Sequence, residues 1–283
     1  MQTRVLVTGA SGQLGSEVVS HLGERPLVEV VAADRSRLDV TSRDQVLMTL
    51  EELAPDVVVH AAAWTAVDAC ESDPDRAWQV NAMGTRHVAE GARRVGAHVV
   101  YISTDYVFDG TAGPYVEWDE PRPLSVYGRS KLGGERELGP DSTVVRTSWV
   151  CGARGGNFVR TMLRLAGGEG TVDVVDDQLG CPTFAADLAR AVTGLARDRR
   201  PGVYHVTNGG ETSWFRFAQA VFEEAGADAG RVRAISTAAM DPPRPAPRPA
   251  RATLDNAGLR LAGLPLLPPW QDSLRELVAE LSG

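Results

Sequence analysis

The sequence has 283 residues, of which 43% are hydrophobic and 23% are charged, and its formal net charge is −8. The hydrophobic share predicts a folded globular chain, and the acidic balance argues against a protein that binds nucleic acid or an anionic membrane surface, because both need a basic face. The sequence has no apolar run of the roughly 18 residues that span a membrane and no secretory leader pattern, so we expect a cytoplasmic protein with no membrane partner.

A strand, a glycine-rich turn and a helix open the chain. Residues 4–8 form an apolar strand, the turn spans 9–15, and a helical pattern follows over 17–22. Such a turn holds a dinucleotide pyrophosphate through its backbone donors and the helix N-terminus. We therefore predict a cofactor site at the turn, with contacts from Gly9, Ser11, Gly12, Gln13 and Leu14.

The second strand, residues 28–33, ends at an acidic residue, Asp34, about 20 residues after the turn. Asp34 at this place predicts hydrogen bonds to the adenosine ribose of the cofactor, whereas the adjacent Arg35 predicts a pair with a 2′-phosphate. The choice between NADH and NADPH stays open on these residues. Asp39 and Val40 are expected to flank the adenine, although a helix-capping role explains Asp39 as well.

Three further apolar strands alternate with helices. Residues 53–59 close a helix and begin the third strand, a helix is predicted over 82–95, and residues 97–102 and 144–146 form the fourth and fifth strands. Buried strands that alternate with helices are typical of a parallel sheet with both faces covered. We therefore predict an α/β fold with a Rossmann-type doubly wound parallel sheet.

The pattern changes after about residue 150. Loops at 167–170 and 176–178 precede a segment rich in proline and arginine at 241–251, and regular patterning resumes over 254–281. Such loops are typical of linkers or of substrate contacts, and we favour the second. We predict two units. Residues 1–150 are mainly the dinucleotide-binding core with the catalytic residues, and residues 151–283 are mainly a smaller C-terminal substrate-binding subdomain, some segments of which can return to the core.

The cysteines and histidines do not form a metal-binding pattern. Cys70, Cys151 and Cys181 lie far apart, and none has a second cysteine or a histidine at ligand spacing. We expect reduced thiols in the core and no metal site. His60 follows an apolar run and is expected near a strand end, where we favour a packed or surface histidine over a catalytic one.

Tyr127 and Lys131 are the strongest catalytic candidates. Four residues apart on a helix, they place a phenol and an ammonium on one face, where the cation is expected to lower the pKa of the phenol and make it a proton donor near neutral pH. Thr104, after the fourth strand, is expected to hydrogen-bond a reacting carbonyl. Asn81 is a candidate to orient a water bound to the lysine, and an ordinary helix-starting asparagine is its competitor. With the glycine turn, these residues predict a nicotinamide-dependent oxidoreductase.

Several further motifs occur in a fixed order along nearly the whole chain. They are Ala-Ala-Ala-Trp-Thr-Ala-Val-Asp at 61–68, Ser-Thr-Asp-Tyr-Val-Phe at 103–108, Tyr-Gly-Arg-Ser-Lys-Leu-Gly-Gly-Glu at 127–135, Arg-Thr-Ser-Trp-Val at 146–150, Asn-Phe at 157–158, Asp-Gln-Leu-Gly-Cys-Pro-Thr at 177–183 and Arg-Pro at 248–249. With the glycine turn, they resemble the extended short-chain dehydrogenases/reductases, and within them the dTDP-4-dehydrorhamnose reductases. Their order and density are far more specific than one glycine motif.

The resemblance implies reduction of the 4-keto group of a dTDP-linked 6-deoxyhexose by NADPH or NADH. It assigns carbonyl binding to Thr104, the general acid to Tyr127, and to Lys131 the tuning of that acid and contact with the nicotinamide ribose. It also implies a cofactor-lining turn at Ala61, Ala62, Ala63, Trp64 and Thr65.

Substrate contacts are implied at two places. Around the reacting sugar they are Thr104, Asp105, Tyr127 and Trp149. Toward the nucleotide they are Asn157, Gln178 and Arg248, and the last is suited to the diphosphate by its charge and geometry.

Two positions depart from the family pattern. Some members hold magnesium with acidic residues at a dimer interface, and Glu17 matches one such residue, but Ala186 stands where a second acid is expected. We therefore expect no metal, in a monomer or a homodimer. His60 replaces the asparagine that is expected before the alanine run.

The leading prediction is an enzyme that reduces dTDP-4-dehydro-β-L-rhamnose to dTDP-L-rhamnose. One alternative is a 4-ketoreductase that acts on another dTDP-4-keto-6-deoxyhexose in specialised metabolism, since the same catalytic residues serve either product. Another is a non-catalytic nucleotide-binding regulatory subunit, whose expected mark is the loss of Tyr127 or Lys131, and both are present. Epimerisation or dehydration is less favoured, because Asp105-Tyr106 does not match the acidic pair of related dehydratases.

Overall fold

A central parallel sheet organises the molecule in the computed structural model, which describes residues 2–282. The strands are β1 Thr3–Thr8, β2 Val28–Ala33, β3 Val57–His60, β4 His98–Thr104, β5 Thr143–Thr147, β6 Val150–Cys151, β7 Val172–Val175, β8 Leu179–Gly180, β9 Thr183–Phe184, β10 Gly202–His205, β11 Thr212–Ser213 and β12 Val232–Ile235. Six of them form the main sheet in the order β10-β5-β4-β3-β1-β2, and all neighbours are parallel.

Helices cover both faces of this sheet. They are α1 Gln13–Gly23, α2 Arg43–Leu53, α3 Val67–Ser72, α4 Pro74–Trp78, α5 Gly84–Val95, α6 Val126–Arg136, α7 Phe158–Ala166, α8 Ala185–Arg197, α9 Trp214–Glu224, α10 Ala257–Leu261 and α11 Trp270–Ser282. Helices α1 and α8 pack together on one face, and α2 and α5 pack together on the other. A π-helical turn, Gln79–Met83, joins α4 to α5.

Successive residues of one strand belong to different cores. Val57 and Val59 of β3 pack in the core beneath α1 and α8, whereas Val58 packs in the core beneath α2 and α5. Burying each valine contributes about 1.5–3 kcal/mol. Because both faces are covered, the strand is apolar throughout, and this explains the continuous apolar runs of the sequence.

A further hydrophobic core lies in the C-terminal half. Val159 of α7, Phe217 of α9 and Leu274 of α11 are fully buried in it. The short strand pairs β7–β12 and β6–β9 lie beside these helices. The C-terminal half therefore has its own hydrophobic core, from which the loops after residue 150 extend.

The predicted doubly wound parallel sheet is confirmed, with three differences in its elements. Strand β4 continues through Thr104, whereas the predicted strand stops at residue 102. Helix α1 begins at Gln13, inside the predicted turn 9–15, whereas the predicted helix begins at residue 17. Strand β10 was not predicted, and it pairs with β5 although it lies after residue 150. The division of the chain into units near residue 150 stays a proposal.

Candidate active site

A pocket of about 250 Å³ lies where β1, β2 and β3 end. Parallel sheets bind their ligands at this edge. Most residues predicted to contact a cofactor line the pocket, namely Gly9, Ser11, Gly12, Arg35, Asp39, Val40, Ala61, Ala62, Ala63 and Trp64. The others lie outside its lining, namely Gln13, Leu14, Asp34, Thr65, Asn81, Tyr127 and Lys131. Their cofactor contacts stay predictions.

The glycine turn lets the backbone come close to the loop that follows β3. Gly9 has a φ of +66°, and a Cβ atom on it would lie 2.7 Å from the backbone nitrogen of Ala62. A Cβ atom on Gly15 would collide with the Gly9 carbonyl. A side chain at either position would therefore displace the turn or the helix start. The bare turn before α1 fits the close approach of a dinucleotide pyrophosphate.

Asp34 and Arg35 differ in what their side chains contact. The Asp34 carboxylate accepts hydrogen bonds from the backbone and hydroxyl of Ser36 and from the Arg37 backbone. The Ser36 hydroxyl is the main cause that lowers the pKa of Asp34. Arg35 lines the pocket, with its Nε 3.8 Å from Asp39. The aspartate therefore stabilises its own turn, and the arginine presents the positive charge.

Sequence patterns missed four residues of the lining: Leu38, Thr41, Arg76 and Val80. The Arg76 guanidinium lies 4.5 Å from the centre of the Trp64 ring, a cation–π contact across the pocket wall. Arg76 lies in a short helix that no motif covered, so no sequence signal pointed to it. Leu38 and Val40 flank Asp39, and apolar residues at that place suit a flat ring such as adenine.

The catalytic candidates meet at the end of β4. Thr104 is the last residue of the strand, and its hydroxyl hydrogen-bonds the Tyr127 phenol. Tyr127 lies in the first turn of α6, which Ser125 caps by accepting from the backbone of Gly128. A Cβ atom on Gly128 would collide with the Tyr106 carbonyl, so this glycine lets the helix approach the turn after β4. The helix start thereby places the phenol beside the threonine.

Lys131 lies one turn further along α6 and is buried. Its Nζ donates a hydrogen bond to the Ile102 carbonyl at 2.6 Å and lies 4.1 Å from the centre of the Tyr101 ring. Burial lowers the pKa of Lys131 to about 7, although the Glu135 carboxylate opposes that shift. Lys131 is also the only lysine in the sequence, whose other cationic side chains are arginines.

The pKa of Tyr127 moves opposite to the predicted direction. Burial raises the pKa of Tyr127 above its ordinary value, and the Thr104 hydrogen bond offsets part of this rise. The Tyr-x-x-x-Lys spacing predicted a lowered value. Desolvation of the phenolate is the largest cause of the rise, and Lys131 is not among the groups that shift this pKa. The phenol is therefore protonated at neutral pH, as a proton donor has to be.

Asp105 adds a buried carboxyl group next to Thr104. Its Oδ1 accepts the Thr104 hydroxyl at 3.0 Å, whereas its buried Oδ2 has no hydrogen-bond partner among the described residues. Burial raises the pKa of Asp105 to about 7. This carboxyl group can therefore change its protonation state near neutral pH.

Asn81 and His60 connect elements around the site through hydrogen bonds. The Asn81 side chain accepts from the Trp64 backbone at 2.8 Å and donates to Ser130 of α6 at 3.0 Å, so it joins the cofactor-lining turn to the catalytic helix. His60 ends β3 and is fully buried between the hydroxyls of Thr8 and Thr85. Burial lowers the pKa of His60 to about 3, and the predicted packed histidine is confirmed.

Asn157 and Trp149 come from the C-terminal half. The Asn157 amide donates to Gln13 Oε1 at 3.0 Å, and this contact links α7 to the glycine turn. Trp149 has a φ of +47°, and its ring stacks on Trp214 at 3.6 Å. A Cβ atom on Gly180 would lie 2.6 Å from the Trp149 ring, so the indole is held between these two residues.

Gln178 and Arg248 lie in different surroundings. The Gln178 amide donates to the Thr237 hydroxyl at 2.9 Å. Arg248 hydrogen-bonds Tyr106, whose ring lies edge-on against Tyr127 at 5.7 Å. The structure therefore brings Arg248 toward the catalytic tyrosine, whereas Gln178 contacts the segment before the proline-rich loop.

Residues 2–282 contain neither a membrane-spanning helix nor a cluster of metal-binding side chains. No helix there is long and apolar enough to cross a membrane. No group of three or more His, Cys, Asp or Glu side chains is arranged to hold a metal ion in that range. The three cysteines are buried and unpaired, as predicted.

Comparison with known proteins identifies a family over almost the whole chain. The family described as RmlD substrate binding domain matches residues 3–282. A dTDP-4-dehydrorhamnose reductase from Streptomyces griseus is 45% identical over 290 residues, which cover 99% of this chain and 94% of the relative. A probable dTDP-4,6-dihydroxy-2-methyloxan-3-one 4-ketoreductase from Streptomyces antibioticus is 43% identical and covers 98% of this chain and 95% of the relative.

A solved structure agrees with these relatives. The dTDP-4-dehydrorhamnose reductase from Bacillus anthracis, in complex with NADP, superposes with a TM-score of 0.94 and 39% identity. The match covers 99% of this chain and 100% of that chain. The family resemblance of the sequence motifs is thereby confirmed.

Proposed function

This chain belongs to the RmlD substrate binding domain family, and we propose that it is an oxidoreductase that reduces the C4 ketone of dTDP-4-dehydro-β-L-rhamnose to give dTDP-L-rhamnose. The observation that carries this proposal is the meeting of Thr104, Tyr127 and Lys131 at the end of β4. Trp64 lines the cofactor pocket and packs in the same cluster as Tyr127, so it lies between the pocket and the catalytic candidates.

The side chains at the end of β4 suit a ketone. The Thr104 hydroxyl and the Tyr127 phenol are both donors, and a C4 carbonyl oxygen placed between them accepts from both. Binding redirects the Thr104 hydroxyl, which donates to Asp105 in this structure. Holding the ketone in one orientation and stabilising the charge on its oxygen both lower the barrier.

Bound NADPH supplies the hydride, which adds to C4 of the sugar and leaves NADP⁺. The carbonyl π electrons then form an alkoxide, and Tyr127 gives its phenolic proton to that oxygen to complete the hydroxyl group. The raised pKa of Tyr127 ensures that the proton is present. In its ammonium form Lys131 stabilises the resulting phenolate and holds the nicotinamide ribose.

We favour NADPH over NADH as the preferred cofactor. The Arg35 guanidinium lines the pocket, whereas Asp34 is not part of the lining and its Oδ1 accepts three hydrogen bonds from its own turn. An arginine suits a 2′-phosphate, and an acid free to accept from the ribose hydroxyls suits NADH. The Bacillus anthracis neighbour, in complex with NADP, is consistent with this choice.

A 4-ketoreductase of another dTDP-4-keto-6-deoxyhexose is the second candidate. The Streptomyces antibioticus 4-ketoreductase is nearly as similar to this chain as the Streptomyces griseus reductase, at 43% against 45% identity. Both candidates need the same proton donor and hydride. They differ in the sugar that is reduced, and a product with the opposite configuration at C4 distinguishes the second candidate from the first.

We also propose where the enzyme is located, its oligomeric state and its partners. We place it in the cytoplasm, as a monomer or a homodimer, with a dTDP-sugar as its partner and no nucleic acid. A net charge of −8 supports the last point, because phosphate backbones repel an acidic protein.

The test is a direct assay with product analysis. Purified protein is mixed with dTDP-4-dehydro-L-rhamnose and either NADPH or NADH, cofactor oxidation is followed, and NMR assigns the C4 configuration of the product. Formation of dTDP-L-rhamnose is expected, with a higher kcat/KM for NADPH. The C4 epimer supports the second candidate. No oxidation by protein that binds NADPH overturns the first candidate and leaves a different ketosugar as substrate or a non-catalytic role.

A further inference from the structure

A buried ion pair lies one helical turn beyond Lys131. Glu135 of α6 accepts from Arg146 of β5, with Nε–Oε1 at 3.0 Å and Nη2–Oε2 at 2.7 Å. The two side chains are only 7% and 5% exposed. Desolvating such a pair costs several kcal/mol per ion, so stability alone is a weak reason to bury it.

Glu135 also contacts the strand that ends at Thr104. Its Oε1 accepts the Ser103 hydroxyl at 2.5 Å. Ser103 lies opposite Arg146 across β4 and β5, and the next rung pairs Thr104 with Thr147. One carboxylate therefore joins α6 to two neighbouring strands, one residue before the proposed carbonyl-binding threonine.

The Lys131 side chain makes another connection between α6 and β4. Its Nζ donates to the Ile102 carbonyl, so the lysine and Glu135 contact adjacent residues of the strand. Tyr127, Lys131 and Glu135 follow one another at intervals of four residues, which places them on one face of the helix. The contacts of Lys131 and Glu135 thus fix the position of α6 along β4, so that Tyr127 lies beside Thr104.

We propose that Glu135 is a positioning residue for the ketone reduction and holds the Lys131 ammonium and the Tyr127 phenol at the end of β4. This inference rests on the proposed function. Glu135 does not touch the reacting atoms, and it acts in two ways. Its hydrogen bonds fix the helix against β4 and β5, and its negative charge stabilises the ammonium form of Lys131.

Lys131 faces charged and titratable groups from several elements. Glu135 of α6, Tyr101 of β4 and His60 of β3 interact with Lys131 directly. Tyr127 lies one turn earlier on the same helix, Asp105 is bonded to Thr104 at the end of β4, and Arg146 of β5 lies behind Glu135. Tyr127, Tyr101 and His60 are neutral near pH 7, because burial raises the pKa of both tyrosines and lowers that of the histidine. The carboxylate of Glu135 therefore matters directly to the charge on Lys131.

The only lysine of the chain makes this role measurable. Protein made with lysine that carries ¹³C at Cε gives one lysine signal, whose shift against pH reports the titration of Lys131 without any need for activity. The wild-type midpoint is expected near pH 7. In Glu135→Gln, which keeps the shape but removes the charge, the midpoint is expected about one pH unit lower.

Turnover gives the second readout. With the ammonium as the active form, kcat is lost as the pH rises through the midpoint, so the alkaline limb of its pH profile moves down with the NMR midpoint in Glu135→Gln. At pH 7.5 kcat is expected to fall about tenfold, with a smaller change in KM for the sugar, because a positioning residue acts on the transition state.

Two further variants keep the test decisive. Glu135→Gln leaves the Arg146 guanidinium buried without its partner, and this can unfold the protein. The double variant Glu135→Gln/Arg146→Met therefore removes both charges. Replacing a buried ion pair by uncharged residues is often neutral for stability. A fall in midpoint and kcat is expected there too, smaller than in Glu135→Gln because a positive charge is removed as well. Glu137→Gln is the matched control, because Glu137 ends the same helix and pairs with Arg86 at the surface. It should leave both readouts unchanged.

A wild-type midpoint and kcat in a folded Glu135→Gln or double variant would overturn the proposal. An equal fall in Glu137→Gln would overturn it as well. A wild-type protein that binds NADPH but reduces no dTDP-sugar would instead overturn the proposed function, and the lysine titration would still test the effect of Glu135 on Lys131.

Discussion

Asp68 and Arg248, 180 residues apart in sequence, form a bidentate ion pair with Oδ1–Nη1 at 2.6 Å and Oδ2–Nη2 at 2.9 Å. The same carboxylate accepts from Arg244 and from the Ala246 backbone. One aspartate at the start of α3 therefore fastens the proline-rich segment 241–251 over the turn that carries Tyr106. Arg248 is only 13% exposed, and both of its Nη atoms bond Asp68, which holds the guanidinium in one orientation. We propose that it contacts the diphosphate of the substrate.

Replacing Arg248 by lysine should weaken sugar binding. Arg248→Lys keeps the positive charge but loses the planar fork that binds a carboxylate or a phosphate with two hydrogen bonds. We expect KM for the dTDP-sugar to rise about tenfold while KM for NADPH stays within about twofold. Arg251→Lys is the control, since Arg251 lies in the same segment and pairs with Glu211 at the surface. Equal effects in both variants would argue against a diphosphate contact at Arg248.

Removing the phenolic proton should stop the chemistry and spare cofactor binding. Tyr127→Phe keeps the buried ring, and we expect kcat to fall about 100- to 10,000-fold, the range for loss of a general acid. Fluorescence titration should give an NADPH affinity within about twofold of wild type. Tyr204→Phe removes a phenol that bonds the Pro201 carbonyl, and should have no effect on kcat. Near-normal turnover in Tyr127→Phe would exclude its role as the acid.

Local features of the fold were predictable because each depends on a short stretch of chain. The glycine turn needs only its own backbone and the adjacent strand, and β1 to β5 appear as apolar runs because both of their faces are buried. Strand β10 was not predictable in this way. Its four residues, Gly202–His205, include Tyr204 and His205, and its place at the sheet edge depends on pairing with β5.

The candidate site also has features that depend on a short stretch of chain and features that depend on contacts between distant residues. Tyr127 and Lys131 stand out by their spacing on one helix, whereas Asp68 and Arg248 meet only in the folded chain. The spacing also misled in one respect. It predicted a lowered pKa for Tyr127, but burial, which the spacing does not reveal, raises that pKa.

Arg35 should decide the preference for NADPH. Arg35→Gln removes the charge that we expect to pair with the 2′-phosphate, so KM for NADPH should rise about tenfold while KM for NADH stays within about twofold. Arg37→Gln is the neighbouring control, because Arg37 bonds the Ala32 carbonyl and does not line the pocket. Steady-state kinetics with both cofactors give the answer. A similar rise for both cofactors in Arg35→Gln would point to a general effect on the pocket.

Asp105 should make the stability of the protein depend on pH in an unusual direction. Its pKa is raised from an ordinary value of 3.8 to about 7, so between these values the folded state holds a proton that the unfolded state has lost. Stability therefore decreases as the pH rises from about 4 to 7, and the cost persists above pH 7, where the buried carboxylate is charged. Asp105→Asn removes this cost.

Thermal unfolding of Asp105→Asn at two pH values tests that sign. We expect its Tm to exceed that of wild type by at least about 3 °C at pH 8 and to match wild type near pH 4, where Asp105 is protonated. Asp109→Asn should behave oppositely. Hydrogen bonds from Tyr115 and Thr111 lower the pKa of Asp109, so its carboxylate stabilises the fold above pH 4 and that contribution is lost in the variant. A Tm difference for Asp105→Asn that is equal at both pH values would show that shape, rather than buried charge, governs this position.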